Sequence, residues 1–166
     1  MKKIFHGKIL KLYLDKTRYP NGYLGRLEIV KHPGAALIVP FLDKNTVILI
    51  RQYRPVLNKY IWELPAGTLH RNEPPLKCAK REIVEEIGYR ASKWKKLGYI
   101  YPAPGYTTEK IVLFKATGLK KVKAETQEDE VITAKKVTKA QIRKLLKTGK
   151  IVDSKTICAL TLTKLI

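Results

Sequence analysis

The chain of 166 residues is long enough for one globular domain with a hydrophobic core, and its formal net charge at pH 7 is +20. Apolar residues make up 45% of the chain, but no apolar run reaches the roughly 18 residues of a membrane-spanning helix. Composition therefore argues against a membrane-spanning helix and favours a globular protein that attracts polyanions such as nucleotides or RNA. A Lys-rich surface is also typical of proteins from hot habitats, so the charge alone does not select a partner.

The N-terminus and the cysteines indicate a cytoplasmic protein. The opening sequence MKKIFHGKIL has no sustained apolar stretch and no small-residue cleavage site, so no signal peptide is expected. Cys78 and Cys158 lie far apart and form no CxxC pattern. We therefore expect both to be reduced, packed thiols rather than a disulfide or a zinc site.

The first part of the chain is predicted to consist of strands separated by turn signals. Its apolar and β-branched runs are bounded by clusters of Pro, Gly, Asn and Asp. Two of the runs flank Asp43-Lys44-Asn45 and are predicted to pair as a hairpin of largely buried strands. The predicted strands are residues 4–14, 24–31, 35–41, 46–53 and 60–64.

A helix is predicted next, starting at Pro74-Pro75 and ending before Gly88. On this helix Glu82 and Glu86 lie one turn apart on one face, with Glu85 beside them. Like charges at this spacing repel, so the arc needs a compensating cation. An arginine can supply part of this charge, and a hard divalent ion, which favours oxygen ligands, would supply more. The alternative is a solvated acidic helix face.

The second part of the chain is predicted to contain three strands and two helices. Thr138 can cap the first helix, and Asp153 or Ser154 can cap the second. This order of elements predicts an α/β/α sandwich around a mixed β-sheet, with no domain boundary in residues 1–166. The predictions are strands at 93–101, 109–117 and 131–137, a polar loop at 119–130, and helices at 139–148 and from 154 to Leu165.

The stretch 67–89, GTLHRNEPPLKCAKREIVEEIGY, resembles the Nudix box, the signature of hydrolases that cleave a nucleoside diphosphate linked to another moiety. Every fixed residue of the box is present at its spacing, and the soft departure is Tyr89, where an aliphatic residue is usual. The resemblance implies the Nudix fold, in which the box is a loop–helix–loop packed on the mixed sheet, here preceded by an N-terminal antiparallel strand segment. The matching residues are Gly67, Glu73, Arg81, Glu82, Ile83, Glu85, Glu86 and Gly88.

The resemblance also assigns a metal site for Mg²⁺, or for another divalent cation such as Mn²⁺. It implies that Glu82, Glu86 and the main-chain carbonyl of Ala66 bind the ion. Glu85 is expected to be a further ligand, directly or through water, and so to take part in catalysis.

Three other residues of the box are expected to support this site. Arg81 and Glu73 are expected to form a salt bridge that steadies the helix ends. Gly67 is expected to form a tight turn that lets the backbone approach the metal.

The family's general base comes from a loop that corresponds here to residues 126–130. We expect Glu128 to be the base and Glu130 to be a carboxylate on the metal side, although the register can slip by one or two positions. An exposed acidic loop is the alternative for at least one of the four acids at positions 125, 128, 129 and 130.

Segments outside the box look like the ADP-ribose pyrophosphatase branch of the family. They are HPGA at 32–35, RQYR at 51–54, WELPAG at 62–67 and GKIVDSKT at 149–156, together with Pro104. Two departures affect substrate contacts: Leu27 stands where the branch has arginine before Glu28, and Ala103 replaces the usual serine before Pro104.

The branch implies a set of substrate contacts. Arg54 is the preferred phosphate contact, with Arg51 as a second or a structural residue. Glu63 is expected to bond ribose or adenine, or to pair with an arginine. Glu28 and Pro104 complete the expected set.

Sequence and resemblance together predict a Mg²⁺-dependent ADP-sugar diphosphatase that hydrolyses ADP-ribose to AMP and ribose 5-phosphate. The resemblance implies a homodimer in which the N-terminal strands, residues 1–33, help to build the partner's site. Two alternatives remain: a Nudix diphosphatase for NADH, a dinucleoside polyphosphate, another nucleotide sugar or capped RNA, or a catalytically silent nucleic-acid-binding module.

Overall fold

The computed structural model describes residues 1–123 and 131–166, which form ten strands, three α-helices and a short 3₁₀ turn at Pro55–Leu57. The strands are β1 (Lys2–His6), β2 (Lys11–Arg18), β3 (Leu24–Lys31), β4 (Ala35–Pro40), β5 (Thr46–Arg54), β6 (Lys59–Glu63), β7 (Ala66–Thr68), β8 (Tyr89–Ile100), β9 (Ile111–Lys121) and β10 (Ile132–Thr138). The helices are α1 (Pro75–Ile87), α2 (Lys139–Lys147) and α3 (Ser154–Leu162).

The strands form three sheets. A four-stranded sheet has the order β7-β4-β9-β8, with β4 and β9 parallel and the other pairs antiparallel. A second sheet has the order β10-β5-β6, and the N-terminal strands form an antiparallel sheet β1-β2-β3.

Helices cover both faces of the central sheets, as the predicted α/β/α sandwich requires. Successive side chains of a strand point to opposite faces. Leu37 and Leu49 accordingly enter one core with α2 and α3, whereas Ile38 and Ile50 enter another with Ile83 of α1. The mixed α/β prediction is confirmed, and the sheets are held between two hydrophobic cores.

Two strand predictions are wrong. Residues 4–14 are not one strand, because the chain turns back between β1 and β2, where the Gly7 N–H donates to the Leu10 carbonyl at 2.9 Å. A Cβ at Gly7 would lie 2.8 Å from the exposed Phe5 ring, which would have to shift if another residue stood at this turn. The predicted hairpin of 35–41 and 46–53 is also wrong, because β4 and β5 belong to different sheets, and the bridge between Phe41 and Val47 lies beyond the end of β4.

Most residues predicted to begin or end the helices do so in the structure. Gly88 ends α1 in the left-handed conformation, with φ 68°, and Thr138 forms a capping box at the start of α2. Asp153, not Ser154, caps α3 by accepting from the Thr156 N–H. The last helix ends at Leu162, short of Leu165.

The first two strands after α1 are longer than predicted. β8 begins at Tyr89 directly after the α1 cap, and β9 continues to Lys121, so the first part of the predicted loop 119–130 is a strand. The rest of that prediction, from residue 124, lies outside the described residues, as do Glu128 and Glu130.

The two cysteines differ in environment. Cys78 is buried in α1, and burial raises the pKa of its thiol to about 12. Cys158 is exposed on α3, so the prediction that it is packed is wrong, and both are free thiols. Among the described residues there is no helix with the length and apolar character needed to span a membrane.

Candidate active site

A cleft of about 320 Å³ lies where the short strand β7 meets the N-terminal end of α3. Cationic side chains, acidic side chains and a stretch of main chain all contribute to its lining. Its walls include Arg54, Ala66, Gly67, Glu109, Asp153 and Lys155.

The Ala66–Gly67 turn is fitted closely against two carboxylates of α1. The Ala66 N–H donates to Glu86 Oε2 at 2.9 Å. A Cβ at Gly67 would lie only 1.7 Å from Glu82 Oε1, so the carboxylate occupies the space that any side chain would take. Glu82 and Glu86 are 6% and 4% exposed, respectively. The sequence-predicted ligands Ala66, Glu82 and Glu86 are therefore neighbours in the fold.

Arg81 supplies the compensating cation that the acidic helix face requires. Its guanidinium donates to Glu82 at 2.5 Å, to Glu85 at 2.9 Å and to Glu73 at 3.1 Å. The predicted salt bridge between Arg81 and Glu73 is thus present. The hydrogen bond from Arg81 is the main reason that the pKa of Glu73 is lowered. Partial burial alone would favour the neutral guanidinium, but the bonds to the three carboxylates outweigh it and raise the pKa of Arg81.

The donor set at this turn suits a hard divalent cation. Carboxylate and carbonyl oxygens are the ligands that Mg²⁺ favours, and Gly67 leaves the backbone open to close approach. In residues 1–123 and 131–166, no group of three or more His, Cys, Asp or Glu side chains is arranged as a metal site. A site here would accordingly combine two side-chain carboxylates with a main-chain carbonyl, the combination that the resemblance implies.

A second charged network forms another part of the cleft wall. Glu63 is 1% exposed and receives two hydrogen bonds from Arg54, at 2.8 and 2.9 Å. Lys155 Nζ also donates to Glu63, and it bonds Asp153 at 2.8 Å. Of the two roles left open for Glu63, the structure shows the pairing with an arginine. The Arg54 guanidinium is consequently held as a planar fork at the cleft wall.

Other sequence-predicted contacts do not line the cleft. Arg51 is exposed, and its guanidinium lies 4.7 Å from the centre of the Tyr60 ring. Glu28 is exposed on β3 opposite Leu14, and Pro104 is exposed in the loop before β9. Within one chain, only Arg54 of the predicted phosphate contacts faces the cleft.

Two residues of the cleft were missed by the sequence analysis. Lys155 lies 92 positions from its partner Glu63, so no local pattern links them. Glu109 lines the cleft, and its Oε1 is 3.7 Å from His32 Nδ1, which also accepts the Gly34 N–H. A single acid at the start of a predicted strand carries no signal of its own.

Comparison with known proteins connects the chain with a family. The model of the NUDIX domain matches residues 31–160. The chain is 38% identical over 160 residues to the ADP-ribose pyrophosphatase of Bacillus subtilis (strain 168). The aligned region covers 95% of this chain and 86% of that protein. It is 37% identical over 159 residues to a methanol dehydrogenase activator of Bacillus methanolicus, with coverage of 95% and 86%.

The fold has a counterpart among solved structures. A crystal structure described as an ADP compounds hydrolase superposes with a TM-score of 0.84, covering 98% of this chain and 89% of that one. Sequence identity between the two is 23%, so this likeness concerns the fold.

The Glu63 network predicts a stability effect. Glu63→Gln removes the negative charge between Arg54 and Lys155 and leaves two cations around a neutral amide. We expect the free energy of unfolding, measured by urea denaturation, to fall by about 2 kcal/mol. Lys93→Gln, which neutralises an exposed charge on β8, is the control and should change it by less than about 0.5 kcal/mol. Equal effects of the two substitutions on the free energy of unfolding would contradict the stabilising role of the Glu63 network.

Proposed function

The chain belongs to the Nudix family, and on that premise we propose that it hydrolyses the diphosphate linkage of ADP-ribose, or of a related ADP-sugar, to AMP and ribose 5-phosphate. The observation that carries the proposal is the cleft, whose lining brings together Arg54, Lys155 and the Ala66–Gly67 turn. A diphosphate bound in this cleft would meet the cations of Arg54 and Lys155 and the Ala66 main chain, whose carbonyl is proposed to bind the metal. The name of the Bacillus subtilis relative supports ADP-ribose as the substrate.

We infer that Mg²⁺, or Mn²⁺ in its place, is the required cation. Glu82, Glu86 and the Ala66 carbonyl would hold it, and Glu85 would contribute directly or through water. When bound, the ion would neutralise the bridging phosphates and lower the pKa of a water molecule. The donor set, which is all oxygen, supports a hard cation over a softer one.

The protein's own groups would orient the reaction. The Arg54 guanidinium can bind two phosphate oxygens at once, and Glu63 fixes the direction of that fork. Water would attack one phosphorus, the bridging P–O bond would break, and a proton of the water would pass to the base. We propose Glu128 as that base and Glu130 as a metal-side carboxylate, both of which lie outside the described residues.

The remaining predicted residues have supporting roles in this proposal. Arg81 would hold Glu82 and Glu85 close together against their mutual repulsion, through the bonds it already makes. Pro104 would shape the loop over the substrate. Glu28 is exposed on the N-terminal sheet and would act in the site of a second subunit.

We propose that the protein is a homodimer built through the N-terminal sheet. This sheet is joined to the rest of the chain near Val30, which bonds Tyr106 and Thr108 at 2.8 and 3.0 Å. Large apolar side chains are exposed along it, and a cluster of this kind typically marks an interface. They are Met1, Ile4, Phe5, Ile9, Leu10, Leu14, Tyr23 and Leu24.

The cytoplasm is the proposed location. Both cysteines are free thiols, which a reducing compartment preserves. The phosphorylated substrates proposed here are likewise expected in that compartment.

Hydrolysis is tested by incubating the protein with Mg²⁺ and a panel of ADP-ribose, NADH, diadenosine polyphosphates and GDP-mannose. We expect AMP from ADP-ribose to form with the highest kcat/KM in the panel. Glu86→Gln keeps an oxygen that can accept the Ala66 N–H but loses the charge, so its kcat should fall by about a hundredfold or more while its circular dichroism is unchanged. If another compound in the panel is the better substrate, the ADP-ribose assignment is wrong. If no compound is turned over, the proposal that the protein is an enzyme is wrong.

The dimer is tested by light scattering after gel filtration. Wild type should have about twice the chain mass of 19.0 kDa. Phe5→Glu with Leu24→Glu places charge on the exposed apolar surface and should yield monomers. Val56→Glu, at a residue 98% exposed outside that sheet, should leave the dimer intact. A monomeric wild type, or a dimer that survives the double substitution, would contradict the proposal.

A further inference from the structure

A second cleft lies on the molecule, away from the Ala66–Gly67 turn. It measures about 330 Å³ and lies between β10, β6 and α2. The side of Trp62 and the apolar Val137 and Leu145 form part of its lining. Four lysines contribute to the rest, and all four are exposed: Lys135, Lys136, Lys144 and Lys150. We call this the basic cleft, and it shares no lining residue with the first cleft.

The sequence around the basic cleft is strongly one-sided in charge. Residues 131–150 contain seven Lys and Arg residues and no Asp or Glu. None of the seven pairs with an acid within the described part of the chain. The nearest described acid in the adjacent strand, Glu63, is already held by Arg54 and Lys155. The positive potential of this surface is therefore uncompensated by described neighbours.

Aromatic side chains extend the basic cleft along the sheet. Trp62 lies opposite Arg51 in the pairing of β5 with β6, and Tyr60 lies opposite Tyr53. Since alternate residues share a face, these four side chains are on the same side of the sheet. The rings of Tyr53 and Tyr60 are 5.2 Å apart, and Arg51 stacks 4.7 Å from the Tyr60 centroid. Stacked aromatic and guanidinium groups thus continue the line from Trp62.

We propose that the basic cleft binds single-stranded nucleic acid, with backbone phosphates on the lysines and a base stacked on Trp62. Sites for single strands combine a cationic groove with aromatic faces, because phosphates need charge and every base has a ring to stack. The same charge argues against a second copy of the chain as the occupant, since a protein of net charge +20 repels itself at a basic surface. A lysine-rich surface alone would lack the concave shape and the tryptophan.

The first test is binding of a fluorescein-labelled dT12 strand, followed by anisotropy at several salt concentrations. Wild type should bind at low salt, with an affinity that falls steeply as salt rises. Replacing Lys135, Lys136, Lys144 and Lys150 by glutamine should weaken binding and reduce the slope of log K against log salt by up to about 3. The matched control replaces four exposed lysines of β8 and β9 by glutamine, and it should bind nearly as wild type does. Its positions are Lys93, Lys95, Lys96 and Lys120.

The second test separates stacking from charge. In a Trp94→Phe background Trp62 is the remaining tryptophan, and its fluorescence should be quenched by dT12 but not by heparin, which carries charge without bases. Trp62→Leu should weaken dT12 binding about tenfold and leave heparin binding unchanged. Circular dichroism and thermal unfolding establish that each variant is folded.

Three outcomes would overturn the proposal. Equal losses in the two lysine variants would show that net charge, not this cleft, binds the strand. Equal behaviour of dT12 and heparin in the tryptophan experiments would show a general polyanion surface. Absence of dT12 binding by wild type at low salt would remove the site altogether.

Discussion

The structure depends on one constraint: each buried carboxylate must be paired with a cation or with hydrogen-bond donors. Leaving such a group unpaired inside a protein costs several kcal/mol, so each one must have a cation or a set of donors. Arg81 meets this need for the buried Glu82 and also bonds Glu73 and Glu85, while Arg54 and Lys155 bond the buried Glu63. Beside these two networks, Glu86 accepts the Ala66 N–H and so holds the Ala66–Gly67 turn against α1.

Short elements that pack against one another place both networks beside the cleft. β7 is only three residues long, yet it pairs with β4 and lies against α1, so its main chain is fixed between sheet and helix. Glu86 accepts from the Ala66 N–H, and Glu82 fills the space beside Gly67. On the far wall, Thr156 of α3 accepts the Leu64 N–H at 2.9 Å, which ties that helix to the strand end. Chemistry that needs phosphates and a metal ion within a few ångströms depends on this rigidity.

Features that depend on residues close together in the sequence could be predicted, and contacts between distant residues could not. The boundaries of α1 depend on Pro75 and Gly88, and the pair of Arg81 with Glu73 depends on the spacing of the box; both are as expected. Strand partners are set by distant residues, so the apolar runs that became β4 and β5 gave no indication that they belong to different sheets. The contact of Lys155 with Glu63 could not be predicted for the same reason, because it is created by the fold.

The most direct measurement of the central claim, that the Ala66–Gly67 turn and the α1 carboxylates form a cation site, is Mn²⁺ binding followed by electron paramagnetic resonance. Wild type, Gly67→Ala and Gly105→Ala would be titrated in parallel, since a Cβ would collide with Glu82 at Gly67 but meets nothing within 4 Å at Gly105. The expected result is that wild type and Gly105→Ala bind the ion alike, while Gly67→Ala binds it at least about tenfold more weakly. Equal binding by all three proteins would contradict the claim.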